Sequence, residues 1–175
     1  MKGIIVLCLK DMVEKYLSTQ AWNEISQEII PDTQVITSTS NIEDSKVLDI
    51  IKEMCSRMNI TAQQAADAFG DYWVNVYSQK MYAGMYKMHK DAKTFLTSLD
   101  KIHAICTNNI ADAHPPQFIC KESDNNSMFM TYISERGLVD IFIGLVRGVG
   151  KYYKEKIDIS KEGPDKIKIT FKGKI

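Results

Sequence analysis

His103 lies on an apolar helical pattern, and 29 residues later Tyr132, Ser134 and Arg136 stand at i, i+2 and i+4. Between them is a rigid double proline, Pro115-Pro116. On an extended chain, residues at alternating positions point to one side. A phenol, a hydroxyl and a guanidinium aimed together form an anion clamp suited to carboxylate or phosphate. Taken alone, the clamp fits any such anion, and alternating polar residues also mark an ordinary solvated strand face. A single helical histidine is likewise more often a core or surface residue than a ligand. Two other histidines compete with His103. His89 follows Met81, Met85 and Met88, a set that suggests copper less than a helical apolar stripe. His114 precedes Pro115 and reads as a loop residue.

The elements that must position these groups fit one domain of 175 residues, with a helical part over about 1–60 and the remainder over about 61–175. Lys+Arg and Asp+Glu balance at 22 each, which removes the electrostatic case for nucleic-acid binding. The opening apolar run, Ile4 to Leu9, is short and ends at Lys10-Asp11 without a small-residue cleavage site. No stretch approaches the ~20 apolar residues of a membrane span. Cys8, Cys55, Cys106 and Cys120 are scattered, which fits unpaired thiols in a reducing cytoplasm.

Helices are expected over the first half. One stripe is Ile5, Leu9, Met12 and Tyr16 over 3–17. A second helix runs through Trp22, Ile25 and Ile29 and stops at Pro31, and a polar loop extends from Thr33 to Asn41. Asn41 would cap a third helix that buries Val47, Leu48, Ile51, Met54 and Met58. Thr61, with Gln64 as its capping-box partner, opens a fourth that buries Ala65, Ala68, Phe69, Tyr72, Trp73 and Val76. Gly70 inside it points to close packing. Residues 92–111 are helical with a break near Ser98-Leu99-Asp100. After Pro116 the period changes. Strands at 118–120 and 127–134 form a hairpin around Ser123–Asn126, Gly137 opens a helix, and two alternating segments flank Gly163-Pro164. The fold class is α+β: a helical N-terminal lobe followed by a ββαββ antiparallel four-stranded sheet.

With these elements placed, the chain resembles the haem-nitric-oxide/oxygen-binding (H-NOX) family, which includes bacterial gas sensors and the haem domain of soluble guanylate cyclase. The resemblance is carried by the opening Met-x-Gly, by Ala68-Phe69-Gly70 and by Phe95…Leu99-Asp100-x-x-His103. It continues through Pro115-Pro116-x-Phe118, Tyr132-x-Ser134-x-Arg136 and Gly137-Leu138…Ile143-Gly144-Leu145, and so spans nearly the whole chain. It implies that the sheet and helices enclose haem b. It makes His103 the proximal iron ligand, a common role for neutral imidazole. Tyr132, Ser134 and Arg136 become the propionate clamp, where the Arg fork is bidentate and Lys would not be. Pro116, 13 residues after His103, matches the proline that packs on the porphyrin.

The resemblance also assigns a distal gas pocket to Ile5, Leu9, Trp73, Tyr77, Ile141 and Leu145. Oxygen-binding members carry a tyrosine donor at the position of Ile141, and isoleucine cannot donate. The remaining candidate donors are Tyr77, four residues after Trp73, and the Trp73 indole N–H, although Trp73 is expected to pack. Cys120 matches a thiol proposed as a redox site in guanylate cyclases, although a buried structural cysteine is the default. The implied protein is a stand-alone cytoplasmic sensor, not an enzyme. It binds NO and CO, excludes dioxygen and signals to a separate histidine kinase or cyclic-di-GMP enzyme. In the family, NO weakens the bond to the proximal histidine and lets its helix shift. The rival readings are a peroxidase or NO-detoxifying haem enzyme, which would need a distal general acid/base, and a haem-free interaction module of the same fold.

Overall fold

Apolar residues recurring every three to four positions from Gly3 onward wind the chain into helix α1, Gly3–Tyr16, in the computed structural model, which describes residues 1–30 and 35–175. The chain forms two compact units, Met1–Ala65 and Ala66–Ile175. In the first, α1 buries Val6, Cys8, Leu9, Met12 and Val13. Tyr16 of the expected stripe is 53% exposed, because the buried face turns toward Val13. Helix α2, Thr19–Ile29, starts at Ser18, whose hydroxyl accepts the Ala21 N–H at 3.0 Å, and it buries Trp22 and Ile25. The expected stop at Pro31 and the start of the polar loop at Thr33 lie outside the described residues.

Helix α3, Asp44–Met58, buries Val47, Ile50 and Met54, whereas Leu48 of the expected face is exposed. Its N-cap is Glu43, not Asn41, which instead bridges to Lys2. It ends at Asn59 in the left-handed region (φ 51°), a conformation asparagine tolerates. Helix α4, Ala62–Tyr72, opens on the expected capping box: Gln64 N–H donates to Thr61 Oγ1 and Thr61 N–H to Gln64 Oε1.

In the second unit, α4 gives way to a π turn over Trp73–Tyr77, and α5 follows over Gln79–Lys87. The π turn changes which residues face inward. Val74 is buried, while Trp73 and Val76 are half-buried. Met81 and Met88 are exposed and Tyr86 is buried, so the methionines do not form a core stripe. Helix α6, Ala92–Thr97, begins at an Asp91–Thr94 capping box, and α7, Leu99–Thr107, follows directly. The break between them falls at Ser98, where sequence places it.

Strands β1 (Gln117–Asp124), β2 (Ser127–Ile133), β3 (Glu155–Lys161) and β4 (Lys166–Lys174) form one antiparallel sheet in the order β1-β2-β4-β3. The β1–β2 turn is Asn125-Asn126, pinned by Asp124, whose carboxylate accepts from Asn126 N–H and Ser127 Oγ. Register places Phe118 opposite Tyr132, Met130 opposite Ile167, and Ile159 opposite Ile169, so these side chains share one face. Helix α8, Val139–Tyr152, adds Val139, Phe142, Ile143, Val146 and Val149 to the same core. Gly137 does not open this helix. It holds φ +61° in the turn before it, and the helix starts two residues later.

Candidate functional site

His103 occupies the middle of α7 and is half-buried. Its Nδ1 faces the carbonyl oxygen of Pro116 at 3.5 Å, and its ring lies 5.4 Å from that of Phe118. Burial lowers its pKa below the ordinary value, against opposing pulls from the Pro116 carbonyl and the Asp100 carboxylate. The imidazole is therefore neutral at physiological pH. A ring that gives its Nδ1 proton to a carbonyl keeps the lone pair on Nε2, the form that binds a metal. The Pro116 carbonyl thus lies on the Nδ1 side of the ring. One turn before His103, the Asp100 carboxylate accepts the Phe118 N–H at 3.1 Å and ties α7 to the start of β1.

Phe118 leads to the second group. Its ring lies 5.9 Å from Tyr132 and 4.9 Å from Phe142, and Tyr132 stacks on Phe142 at 5.7 Å. Tyr132 is 7% exposed. Only Tyr132 of the expected triad stands on a strand. β2 ends at Ile133, and Ser134 to Gly137 form a turn in which Ser134 Oγ accepts the Arg136 N–H. Arg136 reaches the chain segment after α7, where its Nη1 donates to the His114 carbonyl at 3.0 Å. Ser134 and Arg136 therefore sit on a turn just beyond the end of β2, with Tyr132 on the strand itself, rather than alternating along one strand. His114 is an exposed loop residue. His89 is occupied structurally, with Nδ1 at 2.9 Å from the Met85 carbonyl and its ring edge-on to Phe95.

Trp73 and Tyr77 stack on each other within the π turn, with centroids 5.8 Å apart, and Phe69 stacks on the far side of Trp73 at 6.1 Å. Lys80 Nζ lies 5.2 Å from the Tyr77 ring. Ile141 and Leu145 are half-buried, one turn apart on α8. The two helices meet at glycine: a Cβ on Gly70 would collide with the Gly144 backbone, and one on Gly144 with the Ala66 carbonyl. Ile5 and Leu9 lie on α1 of the first unit, Leu9 fully buried. Cys120 Sγ is 3.8 Å from the Leu96 carbonyl, and burial, then Asp100, pushes the thiol pKa up. It is not poised as a thiolate. Among the described residues, no group of three His, Cys, Asp or Glu side chains could hold a metal ion.

The sequence profile described as haem-NO-binding matches residues 2–161 of the chain. The chain belongs to the haem-NO-binding, or H-NOX, family. H-NOX domains are haem-binding gas sensors, not enzymes. No curated protein sequence matches the chain. Among solved structures, a triple mutant of an H-NOX protein from S. oneidensis in the Fe(II) state aligns with a TM-score of 0.92 at 23% identity, covering 100% of this chain and 98% of that one. The Fe(II)NO state of an S. oneidensis H-NOX protein gives 0.88 at 23% identity, with 100% of each chain covered. An oxygen-binding H-NOX domain related to soluble guanylate cyclases gives 0.79 at 25% identity, covering 99% of this chain and 96% of that one. These likenesses show the H-NOX fold. No described helix is long and apolar enough to cross a membrane.

The donor set suits haem. It combines an imidazole whose Nδ1 faces a carbonyl, an aromatic ring beside it, and a guanidinium on the turn after β2. In the sequence, Asp100 stands out only as part of a motif, and nothing there sets Phe142 beside Tyr132. The Leu99-Asp100-x-x-His103 spacing, which places Asp100 one turn ahead on the same helix face, is the signal available for the first.

Proposed function

We propose that this H-NOX domain binds haem b through His103 and senses NO and CO while excluding dioxygen. The observation that carries the reading is the half-buried, neutral His103 imidazole with Nδ1 directed at the Pro116 carbonyl. When bound, ferrous haem supplies an iron that takes diatomic gases. His103 would offer Nε2 to it, and Pro116 would pack against the porphyrin and fix the ring. Tyr132, Ser134 and Arg136 would hold the propionates, since carboxylates drawn toward an apolar site need paired charge and hydrogen bonds. Cys120, with its raised pKa, would serve packing rather than redox chemistry.

Gas selectivity is assigned to the α8 face. Dioxygen on ferrous iron carries partial negative charge and needs a donor more than NO or CO does. Ile141 and Leu145 have none, and Tyr77 is stacked on Trp73. For output, Asp100 links α7 to β1, so a shift of α7 would be passed to the sheet. The whole chain would act as one sensor domain in the cytoplasm, where four free cysteines are at home. Its receiver would be a histidine kinase or a cyclic-di-GMP enzyme.

Visible absorption of the purified ferrous protein, alone, in air, with NO and with CO, tests the reading. A Soret band that moves with NO and CO but not with air is expected. Its absence after haem supplementation would overturn the account. A His103→Gly variant should take up haem only when imidazole is added.

A further inference from the structure

The helical ladder slips by one residue at Ser78. Its N–H donates to the Trp73 carbonyl, five residues back, at 2.8 Å. A π turn inserts one residue relative to an α-helix, so everything after it is rotated by about 100°. The slip frees the Val74 carbonyl from its usual partner. Gln79 Nε2 takes its place at 2.7 Å, with Ser78 Oγ at 3.5 Å. Asn75, inside the turn, donates from Nδ2 to Asp71 Oδ1 at 2.8 Å and to the Gly148 carbonyl of α8 at 3.2 Å. Asp71 also pairs with Lys151 of α8. One side chain therefore supplies the hydrogen bond that the slipped backbone gives up, and another fastens the turn to α8. Trp73 and Tyr77 are the first and last residues of that turn, and their rings stack on each other. In a continuous α-helix, the residues that follow would face about 100° away.

We propose that Gln79 and Asn75 are positioning residues that hold the π turn and so set Trp73 and Tyr77 on the gas-binding side of the haem. This rests on the distal assignment made above. It adds that the geometry of the gas site is fixed by two amides outside the assigned pocket residues. Removing either amide lets the turn relax toward α-helical bonding, which turns the residues after it relative to α8.

The test compares Gln79→Leu, Gln79→Glu and Asn75→Leu with Lys151→Met in the haem-loaded protein. Gln79→Glu keeps size and polarity but loses the donor. Lys151→Met removes only the exposed ion pair to Asp71. Amide exchange across residues 73–82 should rise about fivefold at Ser78 in the three amide variants, the effect of one lost hydrogen bond. It should stay at the wild-type rate in Lys151→Met. After flash photolysis, CO association should change by about threefold or more in the amide variants and remain unchanged in Lys151→Met. Unchanged exchange in the amide variants overturns the pinning of the turn. Faster exchange with wild-type CO kinetics overturns the link to the gas site. If wild-type protein takes up no haem, the functional reading fails instead, and the exchange arm still decides the pin.

Discussion

Arg136 is the residue on which haem retention should depend most after His103. Its guanidinium is already oriented by the His114 carbonyl, and its backbone by Ser134 Oγ, so little further ordering is needed when a carboxylate arrives. A hydrogen bond to a charged group contributes about 1.5–3 kcal/mol. Arg136→Ala should therefore speed haem transfer to a scavenging globin by roughly 10- to 100-fold. Arg136→Lys should recover only part of this, because a point charge lacks the fork. An unchanged transfer rate in the alanine variant would remove Arg136 from the clamp. At Ile141 the prediction concerns chemistry the residue lacks. Ile141→Tyr adds a hydroxyl donor to the α8 face and should give an oxy spectrum that persists in air, whereas wild type should give none. The chemistry of both residues was legible from side-chain type. Their geometry was not, because the end of β2 at Ile133 and the turn at Gly137 depend on pairing with β1 and β4 rather than on local alternation.

At the scale of the elements, the crossing of α4 and α8 leaves no room for a side chain at its glycines. A Cβ at Gly144 would press into the Ala66 carbonyl, which is backbone and cannot swing away. Gly144→Ala should destabilise by about 3 kcal/mol or more, read as a lower urea midpoint. Gly84, on α5, has open space where a methyl group would go, with nothing within 4 Å, so Gly84→Ala should stabilise by about 0.5–1 kcal/mol. Helix α6 carries a pH-dependent cap. Although burial alone would raise it, the Asp91 carboxyl is held below its ordinary value of 3.8, chiefly by hydrogen bonds from Thr94. A depressed carboxylate stabilises the fold above its unfolded value, and that contribution is lost as pH falls through the folded value. Asp91→Ala should cost about 1 kcal/mol at pH 7 and progressively less in acid. The caps at Thr61 and the break at Ser98 could be read directly, since they are local chemistry. The π turn could not. Its five residues have no distinguishing composition, and what selects it is a carbonyl satisfied by Gln79 and an anchor on Gly148.

Across the whole molecule the charges balance at 22 of each sign, so general electrostatic repulsion does little to set stability near neutrality. Buried phenols should set the alkaline limit instead. The Tyr86 hydroxyl bonds to Ser78 Oγ at 2.9 Å, and the Tyr153 hydroxyl donates to the Tyr86 carbonyl at 2.6 Å, joining α5 to the end of α8. Burial pushes the Tyr86 pKa from 10.0 to about 12, with the Ser78 hydrogen bond only partly opposing it, and Tyr153 is raised as well, chiefly by burial. Because the folded value lies above the unfolded one, the neutral phenol stabilises the fold fully below pH 10, and this is lost as pH climbs toward 12. A two-unit shift corresponds to roughly 3 kcal/mol for Tyr86. Urea unfolding of the haem-loaded protein should therefore be level from about pH 7 to 9 and fall steeply above 10. Tyr86→Phe should lose about 1 kcal/mol at neutral pH, with the Ser78 bond gone, yet show a shallower alkaline fall. The two curves should then converge as pH rises. If they stay parallel through this range, the alkaline limit lies elsewhere and Tyr86 contributes packing alone.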